Sequence, residues 1–167
     1  FRDVDIADKA LFEAGVNFDS AGRTEDGVRT MLRIHAEYPK SELRVKSILK
    51  GASMYMARKK FRDAAETFLL IQRNYPDDSL GIQSIAWAAD AYEKVPDPHK
   101  AGQTYESAFR LYPQNVKTPS YLYNAGQLYE NNKEYGDAIS VYKLIGDKFP
   151  MSQYAIEAIF SVPFLLE

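Results

Sequence analysis

The chain has 167 residues, is 46% hydrophobic and 26% charged, and sets 21 basic against 23 acidic side chains for a net charge of −2. That composition suits a packed globular core rather than a disordered chain, and the near-neutral balance supplies no field to draw a phosphate backbone, which argues against nucleic acid as a partner. Cysteine is absent, so disulfides, thiolate nucleophiles and cysteine-held zinc are excluded together, and the longest apolar run, Ser161-Val162-Pro163-Phe164-Leu165-Leu166, falls far short of the ~20 residues that span a bilayer.

Two helical patterns open the chain, separated by Ser20-Ala21-Gly22-Arg23-Thr24, with Thr24 expected to cap the second. This first repeat covers about residues 4–39 and closes at Tyr38-Pro39. Proline disfavours helix in the residue before it, and Ser41, two residues on, can accept from a free N–H of the next helix. In the second repeat, 41–76, Ile48, Gly51, Ala52 and Tyr55 recur at helical spacing, followed by Phe61, Ala64, Phe68 and Ile71. It turns at Arg58-Lys59-Lys60, an exposed loop, and closes at Tyr75-Pro76 with Asp78 as the next cap.

The third repeat, 78–113, shows Ile85, Ala88, Ala89 and Tyr92, then Ala101, Tyr105 and Ala108. Its turn, Val95-Pro96-Asp97-Pro98, offers Asp97 as a cap and Pro98 at the first helical position, where a missing N–H costs nothing. The fourth, 115–150, shows Leu122, Ala125, Gly126 and Tyr129, a turn at Asn131-Asn132-Lys133-Glu134, then Tyr135, Ala138, Tyr142 and Ile145. Asn115 caps its start, and Thr118-Pro119 is expected to delay its first helix by about a turn. A partial fifth repeat, 152–167, begins with Ser152 as its cap and places Pro163 where a small residue is expected, which predicts a kink or an early end.

The closing prolines, Pro39, Pro76, Pro113 and Pro150, stand 37 residues apart each time. A fixed period of this size marks a solenoid, in which one helical hairpin stacks on the next. Ala64, Ala101 and Ala138 on the second helices are expected to face Ala52, Ala89 and Gly126 on the first, allowing close approach while aromatics fill the space between. No strand-like alternation occurs, so the expected fold is all-α: antiparallel helix pairs, four repeats plus a partial fifth, in one domain over 1–167. The opening Phe1-Arg2-Asp3 lacks a methionine, and the chain is read as a piece of a longer protein.

These residues resemble the tetratricopeptide repeat family along the whole chain. Ala125-Gly126, Tyr129, Ala138, Tyr142 and Pro150 follow its signature in the fourth repeat, and Gly51-Ala52, Tyr55, Ala64, Phe68 and Pro76 in the second. The period is three residues longer than the usual ~34, and Phe18, Gly27 and Met31 make the first repeat a weaker match. The resemblance implies a right-handed superhelical solenoid that holds other polypeptides in a concave groove. Tyr38-Pro39-Lys40-Ser41 and Phe149-Pro150-Met151-Ser152 are similar to a subgroup common in bacterial envelope proteins, such as the lipoprotein of outer-membrane β-barrel assembly and the Tol-Pal coordinator. That likeness implies a periplasmic or outer-membrane setting, with the cytoplasm as the alternative.

In that architecture the first helices line the groove, so side chains off their packing stripe become the binding surface. The spacing selects Phe12, Lys46, Leu49, Lys50, Met56, Trp87, Asp90, Tyr123, Asn124, Gln127 and Phe160, with Phe12, Leu49, Trp87 and Tyr123 as anchors for an extended or helical peptide. Trp87 serves equally well as a packing residue against a neighbouring loop. Some relatives hold a C-terminal carboxylate through lysine, arginine and asparagine; here only Lys46, Lys50 and Asn124 match, and that clamp is not expected.

Catalysis is not expected. His35 and His99 stand 64 residues apart without a matching acid or second ligand, and no phosphate loop, nucleophile elbow or metal-ligand cluster is present, so neither cofactor nor metal is anticipated. Base reading by a related helical array is disfavoured by the charge. Two further readings stay open: an accessory domain of an enzyme whose site lies elsewhere, and self-association through the apolar end formed by Ile159, Phe160, Phe164, Leu165 and Leu166.

Overall fold

The structure is a computed structural model that describes residues 2–95 and 97–164. Residues 1, 96 and 165–167, and the side chains of residues 2–5, 163 and 164, lie outside it, and with them Pro96 of the third turn and the apolar contributions expected of Phe164, Leu165 and Leu166. Among the described residues the chain forms nine helices and no strand: α1 (Arg2–Ser20), α2 (Thr24–Glu37), α3 (Leu43–Ala57), α4 (Phe61–Asn74), α5 (Ser79–Glu93), α6 (Pro98–Leu111), α7 (Thr118–Asn131), α8 (Tyr135–Lys148) and α9 (Gln153–Phe164). They divide into two compact halves, Phe1–Ser84 and Ile85–Glu167, with the boundary inside α5.

Each repeat ends in the same turn. The closing aromatic leaves the helical region, with φ between −125 and −137, and its N–H donates to the carbonyl four residues back: Tyr38 to Ile34, Tyr75 to Ile71, Tyr112 to Ala108 and Phe149 to Ile145, at 2.7–3.0 Å. Its own carbonyl then accepts from the N–H three residues on, at Ser41, Asp78, Asn115 and Ser152, at 2.9–3.1 Å. The side chains of those four residues accept in turn from the N–H of Leu43, Leu80, Lys117 and Ala155, at 2.9–3.2 Å. Ser41, Asp78 and Ser152 thus reach an N–H inside α3, α5 and α9 as expected, whereas the Asn115 side chain reaches only Lys117, one residue before α7; the backbone part of the corner is the same at all four.

The turns inside the pairs vary more. Gly22, Lys59 and Lys133 take positive φ of 79, 58 and 63, each two residues before a second helix begins. In the third repeat the Asp97 carboxylate accepts from the Lys100 N–H and Pro98 stands in the first turn, as expected. Thr24 does not cap α2. It stands inside α2 as its first residue, with Arg23 in the cap position; its hydroxyl donates at 2.6 Å to the Asp19 carboxylate at the end of α1, and α2 starts without a side-chain cap. The delay at α7 is also smaller than a turn: α7 starts five residues after Pro113, against four for α3 after Pro39 and three for α5 after Pro76. Pro119 sits in the first turn of α7, where its missing N–H leaves nothing unmade. Similarly α9 does not end before Pro163 but is helical through Phe164.

In the first half α1 packs on α2, α2 on α3 and α3 on α4; in the second, α6 on α7, α7 on α8 and α8 on α9. Ala52, Ala64, Ala89, Ala101 and Ala138 are fully buried, and Tyr92, Tyr129 and Tyr142 are the largest of the fully enclosed side chains. Burying one such ring contributes roughly 1.5–3 kcal/mol. At Gly126 three atoms of the Tyr142 ring lie within 2.9 Å of where a Cβ would sit, the nearest at 2.4 Å, so the aromatic of α8 fills the notch. Gly102 makes the same concession to Tyr129, at 2.6 Å.

Two contacts recur where one repeat meets the next. The Tyr75 hydroxyl and His35 Nδ1 are hydrogen-bonded at 2.6 Å with the rings edge-on, and Phe149 meets Phe109 edge-on at 6.0 Å, each pair 40 residues apart. Lys60 pairs with Glu25, and His99 Nδ1 with Glu134 at 2.7 Å, each 35 residues apart. Both histidines, read in the sequence as surface residues, thus hold seams between repeats. Burial pushes the His35 imidazole below its ordinary value, whereas the hydrogen bond to Glu134 raises that of His99.

The two histidines make opposite contributions to the pH dependence. The raised value at His99 gives stabilisation that is complete below the unfolded value and is lost as pH rises through the folded one; the lowered value at His35 favours the fold at higher pH and is lost as pH falls through it. Imidazole proton titration should place His99 above and His35 below a free histidine, and Glu134→Gln should bring His99 down while leaving His35 where it is. Packing makes a second expectation. Gly126→Ala, forced against the Tyr142 ring, should destabilise by about 1–3 kcal/mol in denaturant unfolding. Gly136→Ala, in α8 with nothing within 4 Å, should stabilise by about 0.5–1 kcal/mol.

Candidate functional site

The first-helix faces are built differently in the two halves. In the first half, Phe12 and Val16 of α1 are half-buried against the cluster of Val28, Met31 and Met54, so Phe12 is partly a core residue. Lys46 Nζ stands 5.5 Å from the centre of the Phe12 ring, a cation–π contact that joins α3 to α1. Leu49 and Met56 are half-buried on α3, and Lys46 and Lys50 are exposed. With Arg44 they make α3 a helix of three cations and no acid.

In the second half the charge is reversed. Between Ile85 and Phe164 the first helices carry Asp90, Glu93, Glu130 and Glu157, and no lysine or arginine stands on α5, α7 or α9. Asp90 and Gln127 are exposed, Trp87, Tyr123 and Asn124 half-buried, and Phe160 is 68% exposed. Tyr123 leans between two other rings, Tyr142 at 5.7 Å and Tyr154 at 5.5 Å. Its hydroxyl is held by Glu157 and Gln127.

Behind this face lies a set of phenol–carboxylate pairs. Tyr105 of α6 donates to Asp90 of α5 at 2.7 Å, Tyr142 of α8 to Glu130 of α7 at 2.9 Å, and Tyr129 of α7 to Glu106 of α6 at 3.3 Å. Burial first, and then the adjacent carboxylate, pushes all three phenols far above the ordinary tyrosine range. They remain donors at any working pH. Tyr105 and Tyr142 thereby hold one oxygen each of Asp90 on α5 and Glu130 on α7. Glu93 is also raised, by burial and then by Asp90 nearby.

The sequence reading placed Tyr105, Tyr129 and Tyr142 in the core as apolar filling and missed their hydroxyls. For Tyr105 and Tyr142 the signal was present in residue type, since the equivalent second-helix positions in the first two repeats are Met31 and Phe68, which cannot donate; Tyr129 stands on the first helix α7, where its equivalents are Phe18 and Tyr55. The candidate residues read from spacing are distributed over both halves. Trp87, Asp90, Tyr123, Asn124, Gln127 and Phe160 all belong to α5, α7 or α9 in the second half, and Phe12, Lys46, Leu49, Lys50 and Met56 to α1 or α3 in the first.

Among the described residues, His99, Glu134 and Asp137 have ligand-type atoms within 4.8 Å of one another. Both nitrogens of His99 are engaged, Nδ1 by Glu134 at 2.7 Å and Nε2 by the Gln103 amide at 2.9 Å. The pair also stands in the seam position that Lys60 and Glu25 fill in the first half, which makes it a fastening between repeats.

The tetratricopeptide repeat family model matches residues 9–41 and 120–152, the first and fourth repeats. The first repeat therefore matches in spite of its Phe18, Gly27 and Met31. A search of curated protein sequences returned no significant match. Among solved structures, a tetratricopeptide repeat protein from Parabacteroides merdae ATCC 43184 is similar over 95% of this chain, at 16% identity and a TM-score of 0.55; the chain spans 60% of the length of that protein. The MamA protein is similar over 95% of this chain and 80% of its own, at 18% identity and a TM-score of 0.50. A Podosopora anserina putative kinesin light chain with nearly identical TPR-like repeats is similar over 94% of this chain and 84% of its own, at 14% identity and a TM-score of 0.52. At these identities the likeness is one of fold: the chain has the all-α fold of tetratricopeptide repeat proteins.

The phenol–carboxylate pairs give a testable magnitude. A double-mutant cycle of Tyr105→Phe with Asp90→Ala, followed by denaturant unfolding, should return a coupling of about 1–2 kcal/mol, as expected of a hydrogen bond to a charged acceptor.

Proposed function

We propose that the chain is a scaffold for protein–protein interaction and holds a peptide or protein partner on the exposed faces of its first helices. The observation that supports this reading is in the second half: Trp87 and Asp90 of α5 and Tyr123, Asn124 and Gln127 of α7 are half-buried or exposed, and the Tyr105 hydroxyl bonds both Asp90 and Asn124. Large rings beside fixed polar groups are the composition of interface hot spots. The repeat fold supports the reading, because stacked hairpins leave one edge of every first helix outside the core. No described helix is long and apolar enough to cross a membrane.

The bacterial envelope setting belongs to this proposal and is carried by the aromatic-Pro-x-Ser motif at Tyr38 and Phe149. Cell fractionation tests it: protein confined to the cytoplasm would remove the setting without touching the scaffold reading.

Selection of binding peptides from a displayed random library, followed by calorimetric titration of the best binder, tests the scaffold itself. Trp87→Ala and Gln127→Arg should each weaken that peptide at least tenfold with the thermal midpoint of the protein unchanged. Unaltered affinity together with a lowered midpoint would make Trp87 a packing residue and remove this face from consideration.

A further inference from the structure

The fastening between the third and fourth repeats lacks the fixed cation of its counterpart in the first half. His99, Glu134 and Asp137 stand two periods of 37 residues after Glu25, Lys60 and Asp63. In the first half the Lys60 ammonium pairs with the Glu25 carboxylate across the seam. In the second half the lysine position is Glu134 and the position facing it is an imidazole, so two acids and a ring stand where the first half sets an ammonium between acids. The charges that act on that ring belong to Glu134, Asp137 and Asp97, carboxylates all three.

The donor atoms converge. One ligand-type atom from each of His99, Glu134 and Asp137 lies within 4.8 Å of the other two, and His99 Nδ1 is 2.7 Å from the Glu134 carboxylate. Ligand atoms about 2.0–2.2 Å from one tetrahedral ion lie roughly 3.3–3.6 Å from each other, so side-chain rotation of about an ångström gathers the three around a common centre. Two helix starts hold them: His99 is in the first turn of α6, Glu134 immediately precedes α8, and Asp137 is in the first turn of α8. The His99 and Glu134 side chains are 45% and 29% exposed, which leaves a path for a hydrated ion.

The far side of the ring is supported as well. Gln103 Nε2 lies 2.9 Å from His99 Nε2; an amide nitrogen only donates, so Nε2 accepts and the ring proton is on Nδ1, toward Glu134. With a cation on Nδ1 that proton passes to Nε2, and the Gln103 amide turns over to accept it through its oxygen. Such an outer hydrogen bond is what holds a metal-bound imidazole in one tautomer.

We propose that His99 Nδ1, Glu134 and Asp137 form a binding site for one divalent cation of the zinc type, with water completing its shell, and that the ion clamps the start of α6 to the start of α8. One imidazole and two carboxylates suit zinc, whereas calcium and magnesium take oxygen donors. The site is separate from the first-helix faces proposed to hold a peptide, and either assignment can fail alone.

Calorimetric titration of the untagged whole chain with zinc chloride tests the site. The chain has no cysteine, and His35, its other histidine, is bonded to Tyr75, so one saturable event is expected. His99→Gln and Asp137→Asn should each weaken it at least tenfold, and calcium chloride should give no saturable event. Asp137 takes no part in the hydrogen bond between His99 and Glu134, so without zinc the circular dichroism melt of Asp137→Asn should match that of the parent. Zinc should then raise the midpoint of the parent and not that of the variant. Absence of saturable zinc binding, or zinc binding indifferent to Asp137→Asn, overturns the proposal. So does calcium binding of equal strength, because the three side chains would then be a diffuse acidic field and not a coordinating set.

Discussion

The structure depends on the corner at which one hairpin gives way to the next. Proline after the closing aromatic forbids the helix from running on, and the aromatic then donates backward and accepts forward in the same pattern at Tyr38, Tyr75, Tyr112 and Phe149. A helix end leaves carbonyls without partners and a helix start leaves N–H groups without them. This corner satisfies part of both sets, and by doing so at a constant period it sets neighbouring pairs within each half in equivalent phase. Equivalent phase is why Tyr75 finds His35 and Phe149 finds Phe109, and why Lys60 finds Glu25 where His99 finds Glu134.

Much of this was legible from residue types because the corners rest on local chemistry. Ser41, Asp78 and Ser152 cap where their side-chain oxygens reach, a matter of two or three residues, and Asn115 makes the same short reach to Lys117 just ahead of α7. The expectations that failed depended on competition with something farther away. Thr24 had a carboxylate within reach on the preceding helix and used it. Pro119 entered α7 in its first turn, so the delay was only a residue or two, and α9 carried on through Pro163. The notches at Gly102 and Gly126 are recognisable only once the rings of Tyr129 and Tyr142 are placed against them.

The candidate faces divide along the same line. Helical spacing selects which side chains leave the packing stripe; of those it selects, Trp87 and Tyr123 are half-buried and Gln127 is exposed. Spacing is silent about what stands behind them. Tyr105 and Tyr142 read as ring-shaped filling, yet each spends its hydroxyl on a carboxylate of the facing helix and so converts a packing position into part of a polar face. The contrast between α3, with three cations and no acid, and the acidic first helices of the second half was present in the residues all along and needed the helix boundaries to be seen.

Amide hydrogen exchange measured residue by residue reports most directly on the repeated corner. The N–H groups of Ser41, Asp78, Asn115 and Ser152, each bonded to the carbonyl of a closing aromatic, should exchange far more slowly than in an unstructured peptide, and the N–H groups of Leu43, Leu80, Lys117 and Ala155 should be protected alongside them. Exchange at free-peptide rates at these positions would mean that the hairpins are joined by loose linkers, and the phase on which the seams within each half rest would be lost.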